Sequence, residues 1–194
     1  FILPRQVGPI VAKPSLRIIT RPSLGVGYLL FNHKAYGDRS RPHPILGDPD
    51  VRRAVALGIN RDQVIKSVFG PYASRAEGPM GQASWVRRVS PRGPPFDRGR
   101  ARQLLEGRGW IDQDGDGIRE KDGAPLLLRL SYVGSSIPRV AAAEIVQAML
   151  KDVGIRLELL RLDGPIWLDR RTKGEFDIDF SQTIVDPTPS GLVQ

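Results

Sequence analysis

The chain contains no cysteine, which excludes disulfides, thiolate metal sites and cysteine nucleophiles, and leaves the redox compartment open. Histidine is almost as scarce, with only His33 and His43. No apolar run approaches the roughly 18 residues that a membrane-spanning helix needs. Nucleophile elbows, phosphate-cradling P-loops and zinc-binding pairs are all missing, so no enzymatic chemistry is expected. The opening residues, "FILPRQVGPIVAKPSLRIIT", lack a charged region followed by an apolar stretch and a small-residue cleavage site, so they do not read as a secretory signal. So abrupt a start is what an excised piece of a larger protein would have. There is no internal repeat. Compact Lys/Arg blocks and basic stretches interleaved with aromatics are absent too. The 29 Lys and Arg against 21 Asp and Glu, a formal +8, are scattered as "RR", "PR" and "GR" pairs. That distribution reads as a basic solvated surface rather than a nucleic-acid interface.

What is present is a foldable chain: 194 residues, 40% hydrophobic and 26% charged, punctuated by 21 glycines and 17 prolines, enough for a sizeable core. Leu16–Thr20 and Val26–Asn32 read as two strands joined by a turn over "RPSLG". From Asp48, a candidate cap, Val51, Ala54, Val55, Ile59, Val64, Ile65 and Val68 follow the three-and-four spacing of a buried helix face. Residues 71–95 read as an irregular surface loop. A second helix is expected near Asp97, with Ala101, Leu104 and Leu105 inward. Pro125–Val133 reads as a strand. Ile137–Gly154 reads as a helix with Val140, Ile145, Ala148 and Met149 on its apolar stripe, and Gly154 as its stop. "IRLELLRL" is a further strand, Trp167–Lys173 a short helix and Phe176–Phe180 a last strand, before a loop over residues 181–194. This alternation predicts an α/β fold whose mostly parallel sheet is flanked by helices.

Two clusters invite a metal. In "DQDGDGIREKDG", Asp112, Asp114 and Asp116 occupy the first, third and fifth positions of an EF-hand loop and Gly117 the turn glycine. The twelfth position is Gly123, where a bidentate glutamate should close the shell, and the segment that follows is strand-like. Asp and Gly also dominate tight turns. A structural turn is therefore preferred to a weak calcium site built from Asp112, Asp114, Asp116 and Glu120. His33, His43 and Asp48, near Asp38, form a conceivable metal cluster whose spacing matches no known geometry.

"DPDVRRAVALGINRDQVIKSVFG" (residues 48–70) resembles a helix segment of the peptide and nickel binding family of ABC transporter solute-binding proteins, with Asn60 where the family pattern has Asp before Arg61. Further landmarks follow in order: "FDRGRARQLLEGRGW", "DGDGIREKDGAPLLLRL", "AAAEIVQAMLKDVGIRLEL" and "GEFDIDF". The resemblance, which covers nearly the whole chain, implies one lobe of a two-lobed periplasmic binding protein fold of class II type. Residues 1–194 would be most of the second lobe. In that family the "DGDG" stretch is a common turn. The implied role is not enzymatic: a monomer, periplasmic or extracellular and held to the membrane by a lipid anchor outside this fragment, captures a peptide-like solute and delivers it to permease subunits of an ABC importer. No cofactor and no nucleic acid belong to that role.

The same resemblance implies site residues. Counting without gaps from Phe176 and Asp177, Asp186 falls where peptide binders hold the α-amino group and Thr183 where an aromatic often stands. A register anchored on Pro187 would put Thr183 at the anchor instead. Arg171 falls where peptide binders carry an arginine that meets a carboxylate. Asn32 and His33 match cleft-lining positions of some relatives. Each has a plainer reading: Asp186 as a turn aspartate, Arg171 as a solvated helix charge. Trp85, Trp110 and Trp167 are read as core aromatics rather than pocket walls. Nickel chelates and oligosaccharides stay open as solutes. The competing classes are a calcium-binding structural module over 112–123 and a basic nucleic-acid-binding domain.

Overall fold

In a computed structural model of the chain, the described residues are 4–21, 23–76, 78 and 93–184. Their elements run α1 (Pro4–Val11), β1 (Gly25–Phe31), β2 (Lys34–Ala35), β3 (Asp38–Pro42), α2 (Pro49–Gly58), α3 (Arg61–Phe69), a 3-10 turn (Gly70–Tyr72), α4 (Arg98–Glu106), β4 (Glu120–Lys121), β5 (Ala124–Pro125), β6 (Leu127–Val133), α5 (Ile137–Lys151), β7 (Arg156–Leu162), α6 (Gly164–Lys173) and β8 (Ile178–Ile184). The contacts divide the chain into two compact units. The larger is Tyr28–Asn60 with Pro94–Ser181; the smaller comprises the described parts of Phe1–Gly27, Arg61–Gly93 and Gln182–Gln194.

The larger unit is built on a four-stranded sheet in the order β1-β8-β6-β7. β6 pairs in parallel with β7, from Leu127↔Arg156 to Val133↔Leu162, and with β8 through Leu130↔Ile178 and Ser131↔Asp179. The Asn32 amide reaches the Asp177 carbonyl at 2.9 Å while Gly25, at the other end of β1, lies beside Gln182, so β1 runs antiparallel to β8. The sheet is therefore mixed and mostly parallel, as expected. β6 is flanked on both sides, and Leu130, Ser131 and Tyr132 are all buried, the pattern of a strand covered on both faces. The chain passes from β6 through α5 to β7 on one side, then through α6 to β8 on the other. Right-handed crossovers in opposite directions put α5 and α6 on opposite faces. The strand order thus reverses between β6 and β8.

Helix boundaries follow local chemistry. The Asp48 carboxylate accepts the Asp50 N–H at 2.8 Å and Pro49 follows as the first helical residue, while Asp97 accepts from Arg100 N at 2.8 Å. Both caps satisfy amide donors that a helix start leaves free. The helical spacing from Asp48 onward is broken into two: α2 ends where Ile59 turns extended (φ −102°, ψ 114°), and none of the α3 residues is buried. In α5 the buried residues are Ala142, Ala143, Val146, Met149 and Leu150, with Ala148 exposed. The predicted stripe was out of phase because an alanine-rich helix offers several near-equivalent apolar faces. Gly154 ends that segment at φ +89°.

Three further expectations change. Leu16–Thr20 forms no strand, and Leu16 and Ile19 are 49% and 65% exposed; apolar composition without a partner strand does not make a ladder. β8 extends to Ile184, so the first residues assigned to the 181–194 loop are strand. Helix α1 was not foreseen. Trp85 and most of the 71–95 loop fall outside the described residues.

Candidate functional site

The strand reversal places Ser131 of β6 opposite Asp179 of β8, and open α/β sheets tend to bind ligands at such a reversal. Asp179 is fully buried, and so is Ser181. A carboxylate excluded from water must find donors, and four groups converge on this one. Trp167 Nε1–H donates to Oδ2 at 2.5 Å and the Ser131 hydroxyl to the same oxygen at 3.1 Å. The Ser181 hydroxyl donates to Oδ1, and Arg171 Nε lies 3.8 Å from Oδ1. Trp167 and Arg171 stand one turn apart on α6, which brings their side chains to one face. The Arg171 guanidinium carbon sits 5.3 Å from the Trp167 ring centroid, a cation–π stack, and Nη2 donates to the Tyr28 hydroxyl at 3.3 Å. Arg171 keeps 31% of its side chain exposed. The arrangement is a guanidinium fixed on two sides and open on a third.

Beside it, Asp177 ties three segments together. Its Oδ2 accepts the Arg129 N–H at 2.8 Å and its Oδ1 faces His43 Nε2 at 3.1 Å. His43 Nδ1 accepts the N–H groups of Ile45 and Leu46 at 3.1 and 2.9 Å, so the ring proton belongs on Nε2, donated to Asp177. Both nitrogens are thus committed. A general base needs a free lone pair within reach of a substrate, and His43 has none.

Of the residues expected to touch solute, Arg171 lies in the Asp179 cluster, whereas Asn32, His33 and Thr183 do not join it. Asn32 is a brace: its side-chain amide donates to the carbonyls of Gly174 and Phe176, both at 2.9 Å, and its oxygen accepts the Lys34 N–H at 3.1 Å. His33 is exposed, and its carbonyl accepts the His43 N–H at 2.9 Å. Thr183 is exposed on β8. Asp186 lies outside the described residues. The conceivable metal cluster of His33, His43 and Asp48 does not assemble: His43 is committed to Asp177 and Asp48 to its helix. Asp179, Tyr28 and Ser131 were missed, because a carboxylate alternating with apolar residues in a strand reads as solvent-facing. The Trp167-to-Arg171 spacing on a predicted helix was the available signal for the stack.

Among the described residues, Asp112, Asp114 and Asp116 are the one group of His, Asp and Glu close enough to share a cation, with carboxylate oxygens within 4.8 Å of one another. All three are exposed, and each already accepts backbone N–H groups of its own loop. Gly115 and Gly117 donate to Asp112, Asp116 to Asp114, and Ile118 to Asp116. Glu120 accepts from Gln113 N at 2.9 Å. These are the bonds of a tight Asp/Gly turn.

Known proteins fit this architecture. The family model for bacterial extracellular solute-binding proteins, family 5 Middle, matches residues 1–192. The chain is 26% identical over 167 residues to the oligopeptide-binding protein AppA of Bacillus subtilis (strain 168), covering 85% of this chain and 29% of that one. It is 29% identical over 178 residues to di/tripeptide-binding protein 2 of Pseudomonas aeruginosa (strain UCBPP-PA14), covering 90% and 30%. Among solved structures, NikA from Brucella suis in complex with Fe(III)-EDTA superposes with a TM-score of 0.83 at 26% identity, covering 99% of this chain and 37% of that one. The chain therefore spans about three tenths of the length of the curated relatives it matches.

Proposed function

Since the chain belongs to the bacterial extracellular solute-binding proteins of family 5, we propose that it forms part of the solute-capturing component of an ABC importer, a binding module rather than an enzyme. The carrying observation is a family match over residues 1–192 together with a buried polar site that has fixed donors and no free base. In this reading the complete protein works outside the cytoplasmic membrane as a lipid-anchored monomer, closes two lobes on its solute and hands it to permease subunits. Oligopeptide is the leading solute class, supported by the peptide-binding relatives at 26% and 29% identity. Arg171 would meet an acid group of the solute and Asp186 its α-amino group, with Thr183, Asn32 and His33 at the margin. An ammonium pairs well with a fixed carboxylate of low solvent access.

Native mass spectrometry tests this on the chain completed with its natural flanking sequence and purified gently. A ladder of co-purified peptide masses is expected. A single non-peptide mass or a metal chelate would retire the amine-anchor role of Asp186 and keep solute capture. The isolated chain should bind peptide weakly or not at all, since a second lobe supplies much of the buried contact.

A further inference from the structure

Asp179 is the most enclosed ionisable group described, and the solute reading alone gives it nothing to do. We propose that Asp179 is a positioning residue that holds Arg171 as an end-on receptor for a carboxylate of the solute. The inference rests on the solute-binding reading above in taking Arg171 as a solute contact. Of the guanidinium edges, the Nε side faces Asp179 Oδ1 at 3.8 Å. One face lies on Trp167, whose own N–H is held by Asp179 Oδ2. Nη2 gives one hydrogen to Tyr28. Among the described residues Nη1 has no protein partner, and it is not among their buried unpaired atoms. What is left open is the end formed by Nη1 and the second Nη2 hydrogen, a fork of the width a carboxylate accepts. Fixing that fork in advance removes side-chain ordering from the cost of binding.

Two physical effects oppose each other at this site, so the proposal can be decided by sign. Asp179 carries a negative charge beside the cation, and simple Coulomb attraction predicts that removing it strengthens binding of an anion. Positioning predicts the reverse. The experiment uses the full-length protein, this chain with its natural flanking sequence, labelled with 15N at arginine and tryptophan side chains. The probes are acetate and its neutral isostere acetamide. The Trp167 Nε1–H and Arg171 Nε–H resonances are assigned by their loss in Trp167→Phe and Arg171→Gln.

Acetate should move both resonances saturably and acetamide should move neither. Asp179→Asn should weaken acetate by about tenfold. Trp167→Phe keeps an aromatic face but not the donor, and should weaken acetate by a smaller factor, read at Arg171; it tests the proposal even if Asp179→Asn fails to fold. Equal shifts with both probes, no shift with either, unchanged acetate affinity in Trp167→Phe, or tighter acetate binding in Asp179→Asn would each overturn the proposal. If acetate behaves as expected but native mass spectrometry returns a single non-peptide acid, the peptide reading fails and the positioning role stands; an uncharged solute would overturn both. If peptides are found and Asp179→Asn binds acetate unchanged, the positioning role fails alone.

Discussion

Arg119 is a cation only 8% exposed, and its interactions set up a mutant cycle with a calculable outcome. Its Nε donates to the Val153 carbonyl at 3.1 Å, Nη1 to the Trp110 carbonyl at 2.8 Å and Nη2 to Glu106 Oε1 at 2.8 Å. The guanidinium thereby joins the ends of α4 and α5 to the aspartate loop. Arg119→Ala leaves two carbonyls without that donor, at about 1–3 kcal/mol each. The Glu106 side chain is 55% exposed, so its pairing adds under about 1 kcal/mol. About 2–7 kcal/mol of destabilisation is expected in all, most of it from the two carbonyls. Gly154 abuts the same side chain: at φ +89°, a Cβ there would stand 2.5 Å from Arg119 Cγ. Gly154→Ala therefore adds about 1–2 kcal/mol of left-handed strain and also evicts the guanidinium. In the double variant Arg119 is already gone and only the strain is new, so the two effects should fall short of additivity by about the cost of the lost clamp, at least about 2 kcal/mol. Urea unfolding followed by far-UV circular dichroism on the four proteins measures this. Additivity within about 0.5 kcal/mol would refute the shared clamp.

Asp97→Ala should cost about 1 kcal/mol, read as a lower urea midpoint, because the Arg100 N–H at the start of α4 loses its acceptor. Millimolar calcium should leave the melting temperature unchanged, since the carboxylates of Asp112, Asp114 and Asp116 already serve their own backbone; a calcium-dependent rise would make the loop a cation site. The Asp50 carboxyl is held below its ordinary range chiefly by the hydrogen bond from Arg108, with Arg53 adding to it. That contribution is present above the ordinary carboxylate range and is lost as pH falls through the lowered value. Arg108→Gln should therefore flatten the acid side of the stability profile and change little under strongly acidic conditions, measured by melts across a pH series.

Much of the larger unit was legible because its signals are local. Asp48 and Asp97 announce caps, Gly154 announces a left-handed stop, and β6, α5, β7, α6 and β8 each carry a period of the right kind. What escaped depends on partners distant in sequence. Leu16–Thr20 has strand composition, but only a neighbouring strand could make it one. The break at Ile59 is invisible in a spacing that continues through Val64. The site was less legible than the fold: Arg171 was singled out by resemblance alone, whereas Asp179 draws its donors from Ser131, Trp167 and Ser181 and its nearby cation from Arg171, on three elements. No pattern within "FDIDF" distinguishes a buried acceptor from a solvated charge.

That motif carries two carboxylates with different duties, and together they bear on what kind of protein this is. Asp177 stands just before β8, where it takes the Arg129 N–H and the His43 ring proton. Asp179 stands inside the strand, beneath α6. Neither is left with the open lone pair and adjacent nucleophile that acid–base chemistry needs. One fixes a turn and the other fixes a cation: half-buried Asp177 and fully buried Asp179 are each matched by donors set by the backbone or by packed side chains. A site made this way has its dipoles in place before any ligand arrives, which lowers the ordering cost of binding. Within this cluster the Arg171 guanidinium keeps an exposed edge, with 31% of its side chain open to solvent.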